Sequence, residues 1–321
     1  MSEANRAIDS TTTPVITDVR KIGDISQRPP RTLWGDARRR FLKHRLAVLG
    51  SLVIIFFTLA VLVGPSIYTV DREALNFDVP TMAGPTWEAP MGTDDLGRDI
   101  LARALFGGRV TLAVGVTAML IAILVGTIVG SISGFFGGYL DQLLMWITDT
   151  FLSMPTLPLF LLIVYLFRDT LTRALGPETG IFLLVVSVIG LLTWMPTARV
   201  VRASFQTLKH REFVEAATCL GVGPLAIMFR HILPNVMSPI IVAATLGVGT
   251  AIITESTLSF LGVGFPPDLP TWGRLVTDGQ NFLELAPHMS LLPALLIFLT
   301  VLSINFIGDG LRDALDPRSR L

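Results

Sequence analysis

Five long stretches of this sequence, 46–68, 110–140, 179–198, 232–254 and 289–308, contain no charged residue. A backbone inside a bilayer has no water to bond, so an isolated segment crosses only as a helix that satisfies its own N–H and C=O groups. About 20 apolar residues cover the roughly 30 Å of hydrocarbon, and each stretch meets that length. The run 110–140 is long enough for a span plus a turn. A sixth run, 150–167, is slightly short, but it suffices if its helix starts near Leu143 and carries Asp149 close to one end. With 51% hydrophobic and only 16% charged residues, the chain is too apolar for a soluble α/β enzyme. The expectation is an all-α polytopic membrane protein with six transmembrane helices.

Basic residues orient such a chain, because Lys and Arg stay on the cytoplasmic side. With the N-terminus inside, only Arg72, Arg98, Arg103, Arg109, Arg168, Arg173 and Arg274 of the 25 Lys and Arg residues fall outside. Both termini and the loop over 199–235 are therefore expected in the cytoplasm. Residues 1–32 are polar with no apolar core, which predicts a disordered cytoplasmic tail rather than a signal peptide. The predicted order continues with a juxtamembrane segment and first span over 33–68 and an outer loop over 69–109. A five-span core follows over 110–308, and a cytoplasmic tail over 309–321. The cluster RRRFLKHR at 38–45 serves as an orientation anchor. With Trp34, Phe41 and Leu42 it also suits a short helix lying on membrane lipid.

The cytoplasmic insert EFVEAATCLGVGPLAIMFRHILPN, 212–235, carries the densest local signals. Phe213, Ala216 or Ala217, and Leu220 recur at helical spacing, which predicts one apolar face. Gly221 can end that helix in the left-handed conformation, and Pro224 suits the first turn of the next. Leu225, Met228, Phe229 and Ile232 form a second stripe, and Pro234 is expected to close it. A helix-turn-helix knob between spans is suited to being pushed from outside the membrane. Elsewhere, Gly126, Gly130 and Gly134 repeat every four residues in the second span, which lets another helix approach closely, within this subunit or across an interface. Pro155, Pro158 and Pro239 predict kinks, either structural or lining a polar path.

Several chemistries are excluded. The lysines, Lys21, Lys43 and Lys209, are followed by Ile or His, so no P-loop is present. The four histidines are scattered, Cys219 is the sole cysteine, and GSISG at 130–134 has Ile132 where a nucleophile elbow needs Ser. Catalytic, cofactor and metal sites are therefore not expected, and a net charge of zero gives no support for a nucleic-acid partner. Asp149 and Glu255 are the ionisable residues nearest membrane depth, each near a span end, and suit either helix-end hydrogen bonding or proton and substrate binding. The Pro-rich segment 262–279, with Trp272 and Arg274, reads as an ordered outer loop that either caps the spans or forms part of a gate or a seat for a partner.

In its motifs the chain resembles the permease subunits of bacterial binding-protein-dependent ABC importers. That family has Glu-Ala-Ala, three residues, Gly, nine residues, then Ile-x-Leu-Pro. Glu215, Ala216, Ala217, Gly221, Leu233 and Pro234 match, while His231 takes the Ile position as in the RHILPN variant of the dipeptide/oligopeptide/nickel branch. The same branch is matched by GTDDLGRDILARALFGGR (92–109), GGYLDQLLMWITD (137–149), ESTLSFLGVGFPPDLPTWG (255–273) and GDGLRDALDPR (308–318), with Trp146 where the branch often has Arg. The N-terminal span and long outer loop fit the second, C-type, of the two permeases.

The resemblance implies a type I ABC importer permease fold in a bacterial inner membrane. It implies a homologous second permease, two ATPase subunits holding ATP and Mg, and an extracytoplasmic substrate-binding protein. Glu215, Ala216, Ala217, Gly221, Leu233 and Pro234 would form the ATPase-coupling site, while Asp149, Glu255 and Trp272 are candidates for the pathway or gate. Peptides are the cargo the branch implies first, with nickel and glutathione open. The competing reading is a proton-coupled secondary transporter using Asp149 or Glu255.

Overall fold

The computed structural model describes residues 33–75 and 79–315. The tail expected over 1–32 lies outside the described residues, as does 316–321. Helix α1 (Leu33–Lys43) leads into α2 (Arg45–Ile67), and His44 between them caps α2 by accepting the Ala47 N–H at Nδ1, 3.1 Å away. The first loop then folds back to α3 (Ile100–Phe136). Next come α4 (Gly138–Ser153), α5 (Thr156–Leu175), α6 (Pro177–Leu192), α7 (Met195–Leu208) and the short α8 (Glu212–Cys219). The long α9 (Pro224–Phe260), the short α10 (Trp272–Gly279) and α11 (His288–Leu315) complete the order.

Four of these helices, α2, α3, α9 and α11, are long and apolar enough to cross a membrane singly. The other two expected spans are bent pairs: α4 and α5 meet at 88°, and α6 and α7 at 41°. Pro155, at the break after Met154, has no N–H to continue the α4 ladder, so the third span breaks there. Pro196 sits in the first turn of α7 just past the second break, whereas Pro239 lies inside α9. Two expected boundaries move. Helix α3 begins at Ile100 rather than 110, capped by Asp99 Oδ1, so Arg103 and Arg109 are helical rather than loop residues. Helix α11 runs past 308 to Leu315.

The glycine stripe is internal packing. A Cβ on Gly126, Gly130 or Gly134 would come within 2.4–2.7 Å of the Trp194, Ala198 or Arg202 carbonyl of the α6–α7 segment. Backbone cannot yield as a side-chain tip can, so Gly130→Val should force α3 off α7 and cost about 1–3 kcal/mol or more. Lowered yield of folded protein in detergent would show it; an unchanged melting temperature would refute this account of the stripe. Helix α2 is fastened in another way. Pro65 cannot donate to the Val61 carbonyl, and Arg109 Nε of α3 takes that acceptor at 2.5 Å, with Nη2 on the Leu62 carbonyl at 2.8 Å.

Candidate functional site

The knob over 212–235 is built on α8 and the first turns of α9. Arg211 is extended and acts as N-cap, and Glu212 and Glu215 place negative charge in the first turn, where the helix dipole favours it. The exit is a complete Schellman turn. Gly221 has φ +76°, its N–H bonds the Thr218 carbonyl at 2.9 Å, and the Val222 N–H bonds the Ala217 carbonyl at 3.1 Å. Gly223 is extended, and Pro224 opens α9.

The expected apolar faces have the right period, but of their residues only Ala217, Met228 and Ile232 are buried. Val214 and Ala217 are buried against Ile227, Met228 and Ile232, and this cluster is rooted on Val201 and Phe205 of α7. Phe213, Leu220, Leu225 and Phe229 point outward and are exposed, Leu220 by 83%. Ala216 is also exposed, and so is Glu215, which has no side-chain partner among the described residues. A small, firmly packed element therefore presents four large apolar side chains beside a free carboxylate.

Pro234 does not close the second stripe. The helix passes through it by changing register: Ile227–Ile232 form a π turn, and the Leu233 N–H reaches the Met228 carbonyl five residues back. Pro234 lacks the N–H that the Arg230 carbonyl would accept in an α register, and the side-chain amide of Asn235 donates to the adjacent His231 carbonyl at 2.7 Å. The knob thus continues without a joint into α9, and motion applied to it is delivered to a span.

That span borders a cavity of about 370 Å³. Leu152 and Thr156 flank one helix break, Thr193 and Met195 the other, and Gly247 and Thr250 come from α9. Broken helices leave backbone groups without partners, which membrane proteins tolerate where a cavity is lined.

Asp149, Glu255 and Trp272 do not converge on one site. Asp149 pairs with Arg199 at 2.6 Å, both more than half exposed. Glu255 is fully buried and accepts from Ser259 Oγ at 2.8 Å. The Ser259 hydroxyl also meets the Phe265 N–H at 3.4 Å and the Thr271 hydroxyl at 3.5 Å, which pins the following loop. Trp272 is buried beside that loop; its Nε1 donates to the Ala104 carbonyl at 2.8 Å. Glu255 and Trp272 belong together at the far end of α9 as fastenings, and Asp149 stands apart.

Two features were missed from sequence. Asp141 is gripped by Arg202 through a fork at 2.5 and 2.6 Å and also accepts from Ser133, so α4 is bolted to α7. Arg103 is 2% exposed and donates to Asp94 at 2.7 Å, to the Pro267 carbonyl at 3.2 Å and to Asp278 at 3.3 Å. Both arginines read from sequence only as orienting charge; Asp94 and Arg103 share the motif 92–109, whereas Asp141 and Arg202 lie 61 residues apart and leave no local signal.

Comparison with known proteins resolves what this arrangement belongs to. The profile described as binding-protein-dependent transport system inner membrane component matches residues 122–321. This chain belongs to that family. A second profile, the N-terminal TM domain of oligopeptide transport permease C, matches residues 32–85. The oligopeptide transport system permease protein OppC of Escherichia coli (strain K12) is 42% identical over 90% of this chain and 93% of its own length. The dipeptide transport system permease protein DppC of Alkalihalophilus pseudofirmus is 38% identical, covering 89% and 90%. The glutathione transport system permease protein GsiD of Shigella flexneri is 39% identical, covering 90% and 91%.

A solved structure of the MetNI methionine ABC transporter in inward-facing conformations aligns with a TM-score of 0.52 at 21% identity, over 68% of this chain and 96% of that one. The fold is that of a type I ABC importer permease. The chain is a multi-pass permease subunit of an inner membrane, and the reading as a proton-coupled transporter acting alone gains no support.

Proposed function

We propose that this subunit imports di- or oligopeptides as half of a permease pair, driven by two ATPase subunits that dock on the 212–235 knob. The observation that carries the reading is the exposed quartet Phe213, Leu220, Leu225 and Phe229 on a knob continuous with α9. Apolar side chains on a charged cytoplasmic loop are costly in water and suit the groove of a protein partner. Glu215, Ala216 and Ala217 would lie at that contact, Gly221 would set its angle, and Leu233 and Pro234 would carry the load into the span. ATP and Mg would be bound by the ATPases, and closure of their dimer would pull the knob and turn the cavity beside α9 from one side of the membrane to the other. Both termini and the knob would be cytoplasmic, and a separate binding protein would deliver cargo from the opposite face.

The test is reconstitution with the second permease, the ATPases and the binding protein, comparing wild type with Leu220→Asp/Phe229→Asp. Both residues are exposed, so the variant should fold and insert normally. It should lose ATPase association by about 30-fold or more, the effect of removing an interface hot spot. Undiminished association would overturn the docking site. Uptake of labelled peptides should depend on ATP; uptake of glutathione or nickel in their place would keep the permease reading and replace the cargo.

A further inference from the structure

One exposed side chain lies far from the knob and plays no part in the transport reading. Trp87 is fully exposed, at 102% of its reference area, yet its backbone is held firmly. The turn carrying it is closed twice, by the Thr86 N–H on the Ala89 carbonyl at 2.9 Å and by the Ala89 N–H on Thr86 Oγ1 at 3.0 Å. Its neighbour Glu88 accepts through the carbonyl from the Tyr68 hydroxyl at 3.3 Å, and the same hydroxyl meets Asp99 Oδ2 at 2.7 Å. Burial, and then the bond to Asp99, push the Tyr68 phenol up, so it remains a donor at physiological pH.

Tyr68 fixes the height of this turn. It follows directly on α2, whose 23 residues make a rod of about 34 Å at 1.5 Å per residue, just enough for the roughly 30 Å hydrocarbon layer. The turn therefore sits where α2 leaves the bilayer. Ile67 and Val70 at the same end are exposed too, by 78% and 40%. An indole, with an apolar body and one N–H, partitions to that boundary better than to either phase.

We propose that Trp87 is a lipid-contact residue, seated in the headgroup layer at the C-terminal end of α2, where it holds the first outer loop on the membrane. The placement depends on α2 being a span and not on which side the termini face.

The test uses the complete transporter in lipid nanodiscs, wild type and Trp87→Phe, and reads the difference in their tryptophan emission. The Trp87 component should emit at short wavelength and be lost when the lipid is replaced by phosphatidylcholine brominated high on its acyl chains. Emission at the wavelength of water-exposed indole, insensitive to bromine and quenched by aqueous acrylamide, would overturn the proposal. A spectrum that changes only on adding the binding protein would also overturn it and make Trp87 part of a protein contact. Should the difference be too small to read, Trp87→Cys in a Cys219→Ser background, carrying a nitroxide, answers the same question. The ratio of oxygen to water-soluble nickel broadening should then rise well above that of a nitroxide free in buffer, and an equal ratio would refute the lipid contact.

Discussion

Gly221→Val should abolish binding-protein-stimulated ATP hydrolysis and uptake together while leaving the spans inserted. The left-handed φ of +76° costs an L-residue roughly 1–2 kcal/mol, more for a β-branched one, and the Schellman turn has no other way to close. Nothing lies within 4 Å of the place where a Cβ would stand, so the penalty is conformational and not a clash. That separates two substitutions of similar bulk. Gly221→Asn, which tolerates this conformation, should retain most coupling, while Gly221→Val should reorient α8 and lose it. Glu215→Lys should fail by a different route, because it reverses an exposed and unpartnered charge without touching the turn. In each failing variant, ATPase stimulation by the binding protein and uptake should fall together, with normal membrane insertion. Equal transport by wild type and both failing variants, at equal expression, would show that the knob is only a connector.

The apolar runs made the number of crossing segments legible, because hydrocarbon imposes a length and a helical backbone on any chain that enters it. They could not show that two segments are broken. Hydropathy is blind to direction, and the 88° bend before Thr156 adds no charged residue to the run; Pro155, one of the prolines read as kinks, marked it. The knob was legible as two helices about a glycine, since Gly221 and Pro224 act locally. Which face it buries was legible only in part: Met228 and Ile232 of the second stripe are buried, but the first helix differs. Phe213 and Leu220 have the period of a core stripe, but the cluster chosen by packing is Val214 with Ala217, the smaller pair that fits under Met228. Pro234 was misjudged for a related reason. A proline removes one donor, and a helix that shifts to the π register just before it can absorb that loss. The ion pairs were hidden because sequence shows charge without showing partners 50 or more residues away, as with Arg199 and Asp149 or Arg103 and Asp278.

Arg103→Ala should be the most damaging single change outside the knob. The guanidinium joins three segments distant in sequence: the turn at Asp94, the Pro267 carbonyl, and α10 at Asp278. Removing one member of a buried pair typically costs about 3–5 kcal/mol, because the partner charge stays desolvated. Here the lower end of that range applies. Asp94, with a side chain 4% exposed, keeps Arg98 at 2.7 Å, and Asp278, 13% exposed, keeps Arg274 at 2.8 Å. What no neighbour can replace is the link between the two halves, since each remaining pair lies within its own segment. The loop from Gly262 to Thr271 would then be held mainly by Glu255, Ser259 and Trp272. The variant should therefore melt at lower temperature, and protease should cut this loop before any other loop. Arg103→Lys should recover only part of the loss, because a single ammonium lacks the fork needed to reach all three acceptors. Arg274→Ala, at a side chain 20% exposed and paired among the described residues only within its own helix, should cost much less. If Arg103→Ala and Arg274→Ala prove equally mild, the three-way tie is not what fastens this loop to α10.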